Sequence, residues 1–155
     1  MQFEKILDPC CGSRMFYFDK NNKDVLFCDC RTTEDVLCDG RKLSVKPDII
    51  SDVRNLPFAD NTYNLVIFDP PHLVKVGDNS WMHKKYGRLP KDFKKFLTEA
   101  FKEIWRVLAV NGTLVFKWNE RDIKIGEIRG CFPSEPIMGT KVKTETLFII
   151  FFKTK

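Results

Sequence analysis

Long hydrophobic runs are missing from this chain of 155 residues. Its longest apolar stretch, Leu147 to Phe152, falls far short of the ~20 residues that cross a bilayer, so it suits a buried strand and no membrane span is expected. The start, Met1-Gln2-Phe3-Glu4-Lys5, lacks the apolar segment of a signal peptide, and a cytoplasmic protein with reduced thiols is expected. Zinc spacing is missing too. The six cysteines (10, 11, 28, 30, 38 and 131) contain no repeated C-x₂-C pair, so no metal site is expected. Internal repeats, low-complexity segments and a linker to a second domain are all absent. Residues 1–155 therefore read as one compact domain with a core of its own. A hydrophobic content of 43% with 30% charged residues argues against disorder. The net charge of +5 fits an anionic partner without requiring one.

What is present converges on one short stretch, Ile67-Phe68-Asp69-Pro70-Pro71-His72. Tyr63 to Phe68 has the β-branched and aromatic content of a buried strand. Pro70 and Pro71 cannot donate ladder hydrogen bonds, so the strand must stop there. A carboxylate, a rigid turn and a flat ring then stand at the carboxyl end of a central strand, where open α/β sheets bind ligands.

Earlier strands end the same way. Phe3 to Leu7 runs into Asp8-Pro9-Cys10-Cys11-Gly12-Ser13, in which Gly12 lets a ligand approach the backbone. Ser13 is expected to cap a helix carrying Met15, Phe16 and Phe18. Val25 to Cys28 is closed by Asp29, 21 positions after Asp8. That is the spacing at which a nucleotide-binding βαβ unit places its ribose acid, although a strand-end turn former would look the same. Residues 31 to 47 carry Asp39-Gly40 between two apolar pieces and read as a hairpin rather than a crossover helix. Asp48 to Asp52 is the third acid-ended strand. Four strand-end carboxylates at Asp8, Asp29, Asp52 and Asp69 line one edge of one sheet.

Residues 73–91 are expected to form a mobile substrate loop. Lys75, Lys84, Lys85, Arg88 and Lys91 alternate there with Trp81, His83 and Tyr86. Cations with interleaved aromatics suit phosphates and stacked bases, while a solvated loop is the plain reading. Asp92 to Leu108 is the clearest helix, with apolar residues at three- and four-residue steps. Asn111-Gly112 ends it, and Thr113 to Phe116 is a fifth strand. A helix from Asn119 to about Arg129 is expected, then a weak strand over Ser134 to Thr140 and a strong one over Thr146 to Phe152. The short connection between these last two makes them antiparallel.

This layout resembles the class I S-adenosylmethionine-dependent methyltransferases, and among them the amino-methyltransferases with an [Asp/Asn]-Pro-Pro-[aromatic] motif. The resemblance runs from Ile6 to Phe152. It implies an α/β, Rossmann-like, seven-stranded, mostly parallel sheet with an antiparallel last strand. By this likeness Asp69, Pro70, Pro71 and His72 are the catalytic motif. Asp8, Pro9, Cys10, Gly12, Asp29, Asp52, Val53 and Asp69 form the S-adenosylmethionine site. Lys75, Trp81, Lys84, Lys85 and Tyr86 are the candidate substrate contacts. The implied activity is N-methylation of an exocyclic amino group of a base in RNA or DNA. A protein glutamine, a small amine, or a catalytically silent cofactor-binding module are the alternatives. The sequence departs from the family in having Arg14 where a second glycine is frequent, His72 for the usual Tyr, Phe or Trp, and no target-recognition domain. A partner subunit or a homodimer would then supply target recognition.

Overall fold

A computed structural model describes residues 5–141 and 145–155. Phe3 and Glu4 of the expected first strand, and residues 142–144 of the expected short connection, lie outside the described residues. The strands are β1 (Ile6–Asp8), β2 (Val25–Asp29), β3 (Thr33–Val36), β4 (Lys42–Val45), β5 (Ile49–Ile50), β6 (Tyr63–Phe68), β7 (Leu108–Asn119), β8 (Met138–Lys141) and β9 (Thr146–Phe152). The helices are α1 (Trp81–Tyr86), α2 (Phe93–Val107) and α3 (Ile125–Ile128).

Seven strands form one sheet in the order β5-β2-β1-β6-β7-β9-β8. Pairing is parallel from β5 to β7, and β9 runs antiparallel to both of its neighbours. This is the expected architecture, with one reversed strand. Alternate residues of the central strands, Val66, Phe68, Leu114 and Phe116, are buried against Leu97, Ala100, Phe101 and Ile104 of α2. The Phe68, Phe101 and Phe116 rings meet there at 5.0–5.6 Å, which adds quadrupole complementarity to burial. Asp92 caps α2, its carboxylate accepting from the Lys95 N–H at 3.4 Å.

The excursion after β2 is a hairpin, as its Asp39-Gly40 turn predicts. β3 pairs antiparallel with β4 and closes its own small core of Leu37, Leu43 and Val45. Four expectations are corrected. The helix after Ser13 does not form. Arg14 sits at φ 56°, its guanidinium donates to the carbonyls of Lys20 and Lys46, and Asp19 and Asn22 make local side-chain turns. Those bonds compete with a helical ladder. The expected loop at 73–91 contains a helix, since Ser80 caps α1 at the Met82 N–H and Gly87, at φ 75°, stops it. The helix expected from Asn119 shrinks to α3 followed by a 3₁₀ turn over Arg129–Cys131. Asn119 instead extends β7, pairing with Thr146. The fifth strand also begins before Thr113, at Leu108. Asn111 turns there at φ 66°, and a Cβ on Gly112 would lie 2.7 Å from the Ala109 carbonyl and 3.0 Å from that of Asn64.

Candidate active site

The strand order reverses between β1 and β6, so the chain leaves these neighbours toward opposite edges and opens a crevice at their carboxyl ends. A cleft of about 370 Å³ occupies that place. Along it lie Asp52 and Val53 after β5, Asp29 at the end of β2, and Pro9, Cys10 and Gly12 after β1. Asp69, Pro70, Pro71 and His72 follow after β6, and Lys117 of β7 closes the row. Lys85 and Tyr86 of α1, with Gly87 at its C-cap, roof it.

Asp29 holds the middle. Its carboxylate accepts the Gly12 N–H at 2.8 Å and the Arg31 N–H at 3.2 Å. Each oxygen keeps a further lone pair for a hydroxyl. Gly12 has φ 51° and nothing within 4 Å of where a Cβ would point, so its backbone lies open to a ligand. Asp52 is bound by the Arg54 guanidinium, whose hydrogen bonds draw its carboxyl below the usual range. Val53 is buried beside it.

Asp8 is placed differently from the other three acids. It is fully buried behind the cleft, with its oxygens accepting from the Cys10 N–H at 3.1 Å and the Tyr17 hydroxyl at 2.8 Å. Burial pushes its carboxyl up to about 7, against the pull of those two hydrogen bonds. Asp8 therefore shapes the glycine turn from beneath.

At the other end, Asp69 Oδ2 accepts from Lys117 Nζ at 2.9 Å. Burial raises the Asp69 carboxyl while the ammonium opposes it. Burial also holds the His72 imidazole down at about 4, with Lys117 adding to the effect, so the ring is neutral at physiological pH. Its centroid lies 5.8 Å from that of Tyr86.

Of the five candidate substrate contacts, Lys85 and Tyr86 line the cleft, whereas Lys75, Trp81 and Lys84 do not. Lys84 pairs with Asp35 of the hairpin at 2.7 Å. The Lys85 ammonium lies 5.0 Å from the Tyr86 ring and 5.9 Å from that of Trp81. Two residues that sequence reasoning passed over matter here. Arg31 donates to the carbonyls of Lys84 and Lys85, tying α1 to the segment that follows Asp29. Lys117 meets Asp69, and its only sequence signal is a lysine between Phe116 and Trp118 in an otherwise apolar strand.

All six cysteines are free thiols. Among the described residues, no group of three His, Cys, Asp or Glu side chains is placed to hold a metal ion, and no helix is long and apolar enough to cross a membrane.

No protein-family model and no curated protein sequence matches this chain. Solved structures do. A TehB-like SAM-dependent methyltransferase from Corynebacterium glutamicum superposes with a TM-score of 0.60 at 17% identity, covering 98% of this chain and 80% of the other. The PH0226 protein of Pyrococcus horikoshii OT3 gives 0.59 at 16%, covering 97% and 81%. A SAM-dependent methyltransferase from Methanosarcina mazei gives 0.54 at 14%, covering 99% and 94%. The chain thus has the Rossmann-like α/β fold of these structures across almost its full described length.

Proposed function

We propose that this chain is an S-adenosylmethionine-dependent N-methyltransferase whose acceptor is an exocyclic amino group of a base in RNA or DNA. One observation carries the reading. The Asp69-Pro70-Pro71-His72 turn ends the central strand in the same cleft as Asp29 and the open turn at Gly12. The fold shared with SAM-dependent methyltransferases supports the cofactor.

The residues present fit that cofactor. Asp29 has lone pairs for ribose hydroxyls, the Gly12 backbone is unobstructed, and Val53 offers an apolar wall for an adenine. When bound, S-adenosylmethionine supplies a methyl group made electrophilic by its sulfonium. The protein's own task is then to hold the acceptor. An amino group conjugated to a ring is a weak nucleophile, because its lone pair is delocalised. Asp69 and the Pro70 carbonyl each accept one N–H from it, which favours a tetrahedral nitrogen and fixes the direction of the lone pair. Positioning and electrostatics of this kind supply most of the acceleration. Pro70 and Pro71 stiffen the turn that aims the carbonyl. His72, as a neutral ring, stacks on the base. Lys85 and Tyr86 at the roof suit a phosphate and a neighbouring base, in keeping with the net charge of +5.

The test is transfer of a radiolabelled methyl group to RNA, single-stranded DNA and glutamine-containing peptides, followed by nucleoside analysis. Label in a base amino group is the expected result. Label in the peptide alone would move the acceptor to an amide, which the same turn also fits.

A further inference from the structure

The acceptor end of the cleft is built from an ion pair, Asp69 and Lys117. Lys117 Nζ donates to Asp69 Oδ2 at 2.9 Å, and both side chains are about one quarter exposed and line the cleft. The same ammonium lies 5.2 Å from the Phe16 ring centroid, so an aromatic wall stands beside it. An ammonium has three N–H donors, and one is used by Asp69. A carboxylate has two acceptor oxygens, and Oδ1 receives no donor among the described side-chain contacts. One acceptor and at least one donor are therefore left side by side at the place where the acceptor group is held.

We propose that Lys117 is a specificity-determining positioning residue: with Asp69 it presents an oxygen beside an N–H, matched to an amino group that neighbours a ring nitrogen or a carbonyl oxygen. This rests on the reading of Asp69 as the amino-group acceptor. The ion pair narrows the substrate class in two ways. A lone carboxylate would attract protonated aliphatic amines, and its pairing with Lys117 removes that attraction. An aromatic amine with no neighbouring acceptor atom leaves the Lys117 donor unsatisfied in a partly dry site, which costs affinity. Adenine, cytosine, guanine and carboxamides carry the required edge.

Lys117 also opposes the rise that burial imposes on the Asp69 carboxyl. The charge of Asp69 in turn adds to the upward pull on Asp8, Cys10 and Tyr17 on the β1 side, and the cleft's other cations are Arg31, Arg54, Lys85 and Arg88. His72, next along the turn, is neutral. Without the ammonium, burial acts on Asp69 unopposed.

Two small probes separate the edge from its context. 2-Aminopyrimidine has an amino group flanked by ring nitrogens, and aniline has the same amino group without them. Both are uncharged near neutral pH. Their affinities for the S-adenosylhomocysteine-loaded protein are measured by NMR titration in wild type, Lys117→Met and Lys117→Arg. Carbon-13 titration of the Asp69 carboxyl is followed in the same three proteins, with thermal melts to confirm folding. Wild type and Lys117→Arg should prefer 2-aminopyrimidine by roughly tenfold, as a charge-assisted hydrogen bond implies. Lys117→Met should bind the two probes equally and titrate Asp69 at higher pH. The same preference and the same Asp69 midpoint in all three proteins would overturn the proposal. A Lys117-dependent preference in a protein that methylates neither RNA nor DNA would refute the nucleic-acid reading and leave this one standing.

Discussion

Replacing Asp8 by Asn should make the stability of this protein insensitive to one proton. Asp8 is 0% exposed, and its carboxyl is raised from 3.8 to about 7 by burial, with the nearby charges of Asp69 and Asp29 in the same direction. A carboxyl whose folded pKa lies above its unfolded value binds its proton more tightly in the folded state. Its favourable share is therefore present in full below about pH 4 and is lost as pH rises to about 7. At 1.36 kcal/mol per pH unit, the rise from 3.8 to about 7 gives about 4 kcal/mol as a ceiling on the change. Asn cannot ionise but still offers an oxygen to the Cys10 N–H. Urea unfolding of wild type and Asp8→Asn from pH 4 to 8 isolates the effect, because other titrating groups cancel in the difference. The variant should gain on wild type by ~2–4 kcal/mol across that window. A difference that stays constant with pH would refute a buried, proton-binding Asp8.

Other outcomes follow from single contacts. Asp29→Ala should weaken S-adenosylmethionine binding by about tenfold or more in calorimetry, because hydrogen bonds to a charged acceptor are lost; unchanged affinity would remove Asp29 from the ribose role. Asp69→Ala should keep cofactor affinity while lowering transfer by about 100-fold or more, and full activity in that variant would end its assignment. Gly112→Ala should lower stability by about 1–3 kcal/mol in chemical denaturation, since the new methyl would meet the Ala109 and Asn64 carbonyls. A neutral result there would mean that the turn shifts at no cost.

What could be read in the sequence was what neighbouring residues determine among themselves. The runs closed by Asp8, Asp29 and Asp69 announce strand ends because acids and prolines stop a ladder locally, whereas the strand expected over Asp48 to Asp52 shortens to Ile49–Ile50. The three- and four-residue steps of Phe93 to Val107 announce α2, and Asp39-Gly40 announces the β3–β4 hairpin. What was not legible depends on partners far along the chain. Arg14 abandons a helix for the Lys46 carbonyl and Asp48, and Asn119 joins β7 through Thr146. Lys117 meets Asp69 only because β6 and β7 are neighbours in register, Phe68 against Phe116. The site followed the same division. Its acids were visible at strand ends, whereas the cation beside Asp69, the burial of Asp8 and the turning away of Lys84 toward Asp35 are properties of the assembled sheet.

On the proposed function, the turn at Asp69 directs a methyl group onto a base amino nitrogen. The most direct test incubates the protein and its Asp69→Ala variant with trideuteromethyl S-adenosylmethionine and with RNA or single-stranded DNA, then digests to nucleosides for mass spectrometry. Wild type should place a trideuteromethyl group on an exocyclic nitrogen, and the variant should place about 100-fold less or none. Unlabelled nucleosides from a wild-type protein shown to bind the cofactor, or equal labelling by both proteins, would contradict it.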